Sequence, residues 1–584
     1  MNPPTPAIVS QKAVQALPRW ALLLLCLAYV VPGFVARDPW KNSDVTAFGY
    51  MLALAQQKTA WLSPLLGGLP PETDGLLPYW MGALAIQWAP DWLSPDMAVR
   101  LPFGLLLSLT LVATWYGVYY LARSPAAQPV AFAFGGEASP TDYARAMADG
   151  GLLALLACLG LAQLSHETTS YVVQLCCTAL VFYGVAALAF HTVIPAVALA
   201  IGLSGLALAG APALATLFGI GGAWLIWRTA EQEMPHRKVW TIAMLGLLLA
   251  VALLAWQLDL WRWRIVGTEA GGKEVPSLIK LLLWFGWPAW PLGLWTLWRW
   301  RKQIASKQWH RHLWLPIWFS LVSFGATATT APADRALLLG LPALATLSAF
   351  ALPTLSRAVA ALIDWFTLLF FSIATLTIWV IWIAMQTGVP AKPAANVAKL
   401  APGFTPSFSL LALLVALAAS AAWCSLVWWR ASRDRIVIWK SLVLPASGAT
   451  LGWLLLMTLW LPLLNYARSY APQTAELLQR MPGVQQTCAQ TYGLSRAQMA
   501  AFQYHGGLTL QPVAENKTST SLSNGGPAQP LSCPWLLVDI ASWPAPADVL
   551  NAEEWVPVAT VPRPTDKNDQ VLLFKRAEAA PSAD

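Results

Sequence analysis

The sequence predicts an all-α polytopic membrane protein that ends in a small α/β domain, and three observations carry this. Of its 584 residues, 57% are hydrophobic and only 11% charged, against roughly 45–50% apolar and about 25% charged in an average soluble domain. Many apolar runs approach the ~20 residues needed to cross ~30 Å of hydrocarbon. They are continuous rather than alternating, which excludes a barrel and leaves helices as the spanning structure. Near Asn465 the composition changes, as Gly, Pro, Asn and Gln replace the apolar runs.

Taken in order, Lys12 and Arg19 precede an apolar run over 20–35 with no small-residue cleavage site after it, which reads as an uncleaved first span with its N-terminus inside. The first external loop, 37–100, holds two amphipathic stretches, 48–55 and 77–88, expected to lie on the outer surface as helices. Further spans are expected near 101–122, 148–165, 169–187, 192–208, 210–227, 239–257, 278–298, 313–326, 336–352, 360–386, 407–428 and 441–463. With the first this makes about thirteen, an odd count that puts the C-terminus outside. Residues 1–464 are thus the expected transmembrane module and 465–584 an external α/β domain, periplasmic in a Gram-negative cell. That domain shows a helical pattern at 474–480, strand-like runs at 535–540, 556–561 and 570–575, and a Ser/Thr/Asn/Gly-rich segment at 515–530 that reads as a mobile loop.

The formal charge of +8 does not point to nucleic acid. The basic clusters at 228–238, 299–311 and 430–440 sit in short loops, where they read as cytoplasmic topology signals. The 34 Trp residues gather near span ends, as an interfacial aromatic belt does. Five of the seven cysteines (Cys26, Cys158, Cys176, Cys177 and Cys424) lie in apolar runs and read as small hydrophobes. Cys488 and Cys533 lie in the polar tail and would form a disulfide if that tail faces an oxidising compartment.

Three clusters have the residue types for chemistry. The loop Arg37-Asp38-Pro39-Trp40-Lys41-Asn42-Ser43-Asp44 offers two carboxylates and two cations at a membrane boundary. A carboxylate there can serve as general base toward a hydroxyl and a cation can hold a lipid phosphate, although solvated charges also mark span ends. His166-Glu167-Thr168-Thr169-Ser170 interrupts an apolar hairpin on the same face. Polar groups at that depth are costly unless used or paired, and a helix N-cap explains them equally well. The external cations Arg262, Arg264, Lys273, Lys280 and Arg335 oppose the usual charge bias. An anionic lipid headgroup would account for them, as would neutralisation by Asp259, Glu269, Glu274 and Asp334. There is no phosphate-binding Gly-rich loop, HExxH or GxSxG, so nucleotide hydrolysis and the common hydrolase mechanisms gain no support.

Three strings carry a resemblance: Arg37-Asp38-Pro39-Trp40-Lys41 with Asp44, Leu77-Pro78-Tyr79-Trp80-Met81-Gly82-Ala83-Leu84, and Val99-Arg100-Leu101-Pro102. Together they resemble the bacterial polyprenyl-phosphate-dependent glycosyltransferases of the GT-C superfamily, nearest the lipid A aminoarabinose transferases, which are related to the protein O-mannosyltransferases. That family is similar over nearly the whole chain, in span number, two surface helices and a periplasmic C-terminal domain. Its essential acid lies in an Asp-Glu pair after the Trp. The matching pair here is Ser43-Asp44, so the resemblance makes Asp44 catalytic, with Asp38 in reserve. Its second acid, at the outer end of the third span, matches Glu167, with His166 beside it. The family's Lys-Pro-Pro before the second surface helix is replaced by Asp74-Gly75-Leu76, which leaves the donor phosphate to Lys41, Arg262 or Arg264. Arg335, His166 and Tyr79 complete the candidate substrate contacts.

The resemblance implies an inverting transfer in the inner membrane, from a polyprenyl-phosphate sugar to a lipid A, glycan or protein acceptor on the periplasmic face. Its partners would be the donor, the acceptor and membrane lipids, with no nucleic acid. No metal ligand set is evident, no cofactor is named, and a divalent metal stays open. The competing class is a transporter or flippase of lipid-linked sugars, which should carry ionisable residues at mid-span. Here the notable ones cluster at the outer boundary, apart from Asp364.

Overall fold

A computed structural model describes residues 5–71, 75–261, 274–330, 333–431, 437–513, 533–544 and 554–577. The first long loop begins after α1 (Arg19–Val30) and carries α2 (Ser43–Ala55) and α3 (Leu77–Trp88) before α4 (Pro95–Ala122). α5 (Pro140–Ala157) starts at Ser139, whose hydroxyl accepts from the Asp142 amide while Pro140 takes the first helical position. The one-turn α6 (Leu161–Leu164) leads to α7 (Ser170–Ala187), and α8 (Val193–Leu208), α9 (Pro212–Arg228) and α10 (Arg237–Gln257) follow. Next come α11 (Glu274–Phe285), α12 (Ala289–Arg299), α13 (Arg301–Ile304), α14 (Arg311–Thr329), α15 (Ala333–Leu338) and α16 (Leu341–Ala351). The long α17 (Arg357–Thr387) is capped by Ser356 and stopped by Gly388 at φ 77°. α18 (Ala391–Leu400), α19 (Leu410–Ala431), α20 (Val443–Leu456) and α21 (Leu461–Arg468) end the bundle, which α22 (Ala471–Arg480) and α23 (Arg496–Gly506) join to the C-terminal domain.

Every apolar run expected to span contains helix, but the count of thirteen spans is not confirmed by helix length and composition among the described residues. Among the described residues five helices (α4, α7, α10, α17 and α19) are long and apolar enough to cross a membrane. A sixth is added if α20, with the turn before it, and α21 count as one span bent by 69°. The physical reason lies in breaks that hydropathy does not register. The run 278–298 is divided between α11 and α12 at Gly286-Trp287-Pro288, and 336–352 is divided between α15 and α16 at Leu339-Gly340. α1 and α8 have only 12 and 16 residues. The result is still a multi-pass membrane protein.

The C-terminal domain is built on β1 (Ala489–Tyr492), β2 (Leu510–Pro512), β3 (Trp535–Asp539), β4 (Trp555–Arg563) and β5 (Asp566–Arg576), in the order β2-β1-β3-β5-β4. β1 runs parallel to β2 and β3, and β5 antiparallel to β3 and β4. The expected runs at 535–540, 556–561 and 570–575 correspond to β3, β4 and β5, and 474–480 lies within α22. Cys488 and Cys533 are disulfide-bonded, joining the starts of neighbouring β1 and β3. The segment expected as a mobile loop, 515–530, lies outside the described residues.

The domain docks on the end of the bundle that carries α2 and α3. α23 begins with a reciprocal Ser495/Gln498 capping box and lays Ala500 against Gly49 of α2. Phe48 and Tyr504 meet edge to face at 4.7 Å, and the Tyr504 hydroxyl donates to Asp96 at 2.8 Å. On the far side the turn between β4 and β5 closes over the loop before α2, where Asp566 takes Lys41 at 2.8 Å and Arg563 donates to the Ala467 carbonyl at 2.8 Å.

Candidate active site

The loop between α1 and α2 folds inward, because its two charges find each other under cover. Arg37 is almost wholly buried and Asp44 is 2% exposed. Arg37 Nη2 reaches Asp44 Oδ2 at 3.0 Å, and Nη1 donates to the His166 carbonyl at 3.1 Å. The Trp40 amide donates to the same Oδ2 at 3.2 Å. The other oxygen, Oδ1, accepts from the Thr168 amide at 2.7 Å and the Thr168 hydroxyl at 2.8 Å. Four donors thus fill the Asp44 carboxylate and tie the first loop to the α6–α7 turn. Burial alone would push its pKa up, but Arg37, Arg100 and the Thr168 bonds outweigh it and hold the carboxyl below its usual range. Its place in the first turn of α2 adds the favourable end of the helix dipole.

Glu167, one residue before Thr168, faces the other way. Its Oε2 pairs with Arg335 of α15 at 3.0 Å and its Oε1 accepts from Gln163 at 3.5 Å. Burial raises its pKa and Arg335 only partly offsets this. Arg335 also lies over the Tyr171 ring at 5.2 Å, and its Nη1 is buried without a hydrogen-bond partner. A guanidinium fixed by one carboxylate, with donors to spare, is suited to an incoming phosphate.

Two further groups complete the site. Asp38 is half-buried, and its amide donates to Asn465 Oδ1 at 3.1 Å. Its carboxylate has no hydrogen-bond or ion-pair partner among the described residues, and Arg100, Tyr504 and His505 lie within its electrostatic reach. Arg468, at the end of α21, lies over the Trp40 ring at 5.3 Å, while Arg37 lies over the same ring at 4.1 Å. The Arg468 guanidinium likewise has no carboxylate within ion-pair reach among the described residues, although its field reaches Glu167. Asn465 holds this corner together by accepting from Trp40 Nε1 at 2.9 Å and donating to the Ala36 carbonyl at 3.0 Å.

Several expected contacts are placed elsewhere. His166 is enclosed, with Nε2 3.1 Å from the Tyr29 carbonyl, Nδ1 against the Ala162 carbonyl, and its ring among Tyr29, Phe34 and Trp453. Burial lowers its pKa to about 3, so it is a neutral core histidine with no face left for substrate. Lys41 is spent on Asp566 and Asp569 of the C-terminal domain rather than turned to the site. Tyr79 is 4% exposed and packs on Tyr50 at 5.3 Å in the contact between α2 and α3. Arg262 and Arg264, with Lys273 and Asp74, lie outside the described residues. Among the described residues no three His, Cys, Asp or Glu side chains converge to hold a metal. Thr168 lay within the polar cluster 166–170 but had no role of its own in the sequence reading, and Asn465 and Arg468 were not foreseen as site residues, only Arg468 carrying a signal, as a cation beside the composition break.

No family model matches the chain, and no curated protein matches it. Its fold is similar to that of ArnT from Cupriavidus metallidurans bound to undecaprenyl phosphate, with a TM-score of 0.60 at 15% identity over 96% of this chain and 99% of that one. The same protein in the apo state gives 0.58 at 13% identity over 95% and 98%. The likeness thus includes both the bundle and the C-terminal domain, and the fold is similar to that of the ArnT structure over nearly the whole chain.

Proposed function

We propose that this protein is a GT-C glycosyltransferase that moves a sugar from a polyprenyl phosphate to an acceptor at the domain-bearing end of its helix bundle. The reading places that end in the periplasm and the bundle in the inner membrane. The observation that carries it is the meeting of Asp44–Arg37–Thr168, Glu167–Arg335, Asp38 and Arg468 at one membrane boundary under the C-terminal domain, in a fold whose solved counterpart binds undecaprenyl phosphate.

The chemistry follows from which groups are open. The acceptor oxygen attacks the anomeric carbon from the side opposite the donor phosphate. The new carbon–oxygen bond forms as the bond to the phosphate oxygen breaks, and configuration inverts. The departing phosphate gains charge that Arg335 and Arg468 stabilise in a site largely closed to water. A hydroxyl acceptor also gives up a proton. Asp44 has no vacant lone pair for it, so the proton passes to Asp38, while Asp44 holds Arg37 and Thr168 in place. For an acceptor that is already an anionic phosphate, that step falls away.

The test is transfer by purified protein in proteoliposomes supplied with undecaprenyl-phosphate sugars, followed by release of free undecaprenyl phosphate. The wild type should turn over, and Arg335→Ala should lose about 10- to 100-fold in kcat/KM, the worth of a charge-assisted hydrogen bond to the leaving group. Movement of the intact lipid-linked sugar between leaflets without its cleavage would replace this reading by a flippase. Mass analysis of lipid A and surface glycans from a deletion strain would identify acceptor and sugar.

A further inference from the structure

The corner where α21 meets α23 holds a titratable side chain that the chemistry above leaves unused. His505 lies in the last turn of α23, the helix of the C-terminal domain that docks on α2. Its Nε2 is 3.5 Å from the hydroxyl of Ser469, which closes the end of α21, and its Nδ1 has no hydrogen-bond partner among the described residues. One turn back along α21, Asn465 accepts from the Asp38 amide at 3.1 Å, and its carbonyl accepts from the Ser469 amide at 2.8 Å. Residues four apart at one helix end thus bring together a histidine of the domain and a carboxylate of the bundle.

Two carboxylates face the imidazole, Asp38 and Asp96. Asp96 is engaged, since the Tyr504 hydroxyl donates to it at 2.8 Å, and the Tyr504 ring lies 4.9 Å from that of His505. Asp38 is not engaged. Burial holds the imidazole below its usual pKa, near 6.5, although both carboxylates pull the other way. It is therefore uncharged at neutral pH and open to a proton, and an imidazolium formed there sits beside two negative charges.

We propose that His505 takes the acceptor's proton onward from Asp38, so that one group from each part of the molecule makes up the proton-accepting pair of the transfer. The inference rests on the proposed glycosyltransferase reading. The acceptor O–H bond breaks, and its electron pair enters the new carbon–oxygen bond. The proton passes to Asp38 and then, directly or through one water, to the imidazole. The half-buried imidazolium returns it to solvent before the next turnover. Such a pair suits neutral pH, because imidazoles as a class, at about 6.5, hold a proton there better than carboxylates, at about 4. His505 acts through Asp38, as a positioning residue, and touches no substrate.

Two measurements on the full chain in nanodiscs test this. The first needs no turnover: the histidines are isotope-labelled and titrated by NMR, and the His505 signal is assigned by its loss in His505→Gln. Asp38→Asn should lower the His505 pKa by about 0.5 or more, the effect of removing a nearby negative charge. An unmoved pKa would overturn the pair. The second follows release of undecaprenyl phosphate from undecaprenyl-phosphate sugars between about pH 5 and 8. Wild-type kcat should fall below the measured His505 pKa, where the charged ring can take no further proton. His505→Gln should show a kcat about tenfold lower at neutral pH, an unchanged KM, and no bend at that pKa. An unchanged rate, or a lower one whose bend stays in place, would overturn the role of His505. Absence of release by the wild type at every pH defeats the glycosyltransferase reading, and the titration still decides the pair.

Discussion

Asp44 and Asp38 separate two roles that one loop carries. Asp44→Asn exchanges a carboxylate with four donors for an amide that must turn an NH2 toward Arg37, the Trp40 amide or Thr168. It also leaves Arg37 buried without its counter-charge, which costs about 3 kcal/mol. The expected outcome is a lower melting temperature together with loss of transfer. Asp38→Asn removes no partner among the described residues, so its melting temperature should stay put while kcat with a hydroxyl acceptor falls about 100-fold or more. Thermal unfolding beside initial rates distinguishes them, and an Asp38→Asn enzyme of full activity would return the base role to Asp44. The sequence made both acids visible but not this division, which depends on Thr168, 124 positions away, and on Asn465, more than 400 positions away. His166 was misread for the complementary reason. A polar residue in an apolar hairpin signals a need for partners, and here the one N–H of the neutral ring is met by a backbone carbonyl, that of Tyr29 or of Ala162 according to the tautomer, instead of a ligand.

The turn between β4 and β5 is the element that closes the site from above. Asp566 pairs with Lys41 at 2.8 Å and with Arg563 at 3.2 Å, and Asp569 takes the same two cations at 3.5 and 3.2 Å. The hydrogen bond from Lys41 is the largest influence lowering the Asp566 pKa to about 2. A carboxyl with a depressed pKa stabilises the docked state above its unfolded value, near 4, and loses that contribution as pH falls through about 2. Hydrogen exchange of the β4–β5 hairpin, corrected for intrinsic rates, should therefore stay constant from pH 7 to about 4 and speed up between about 4 and 2. Lys41→Met should speed it already at pH 7. A hairpin equally protected at pH 7 and 2 would show that the ion pairs do not hold it. β4 and β5 were legible because, at 9 and 11 residues, they hold runs rich in Val, Leu and Phe, whereas β1 and β2, at 4 and 3 residues, leave too short a pattern to register. The helices were legible in position but not in continuity, since Gly286 and Pro288 break a run that hydropathy alone carries straight through.

At the scale of the whole molecule, the open site groups Asp38 and Arg468 belong to the bundle, while Tyr504 and His505 come from the C-terminal domain, so activity should depend on how closely the two parts meet. Their tightest contact is backbone-limited: a Cβ on Gly49 of α2 would lie 2.4 Å from the Ala500 Cβ and 3.3 Å from its Cα. Gly49→Ala must push α23 away from α2, drawing Tyr504 off Asp96 and His505 away from Asp38 while each part keeps its own core. The substitution should lower kcat about tenfold and leave the Cys488–Cys533 bridge formed. The severest overlap, with the Ala500 Cβ at 2.4 Å, also predicts its remedy. Ala500→Gly placed on Gly49→Ala removes the opposing Cβ and should restore kcat, giving a coupling energy that two independent defects would not show. If the double variant is as slow as Gly49→Ala alone, the loss arises within α2 and the closeness of the two parts is not what sets the rate.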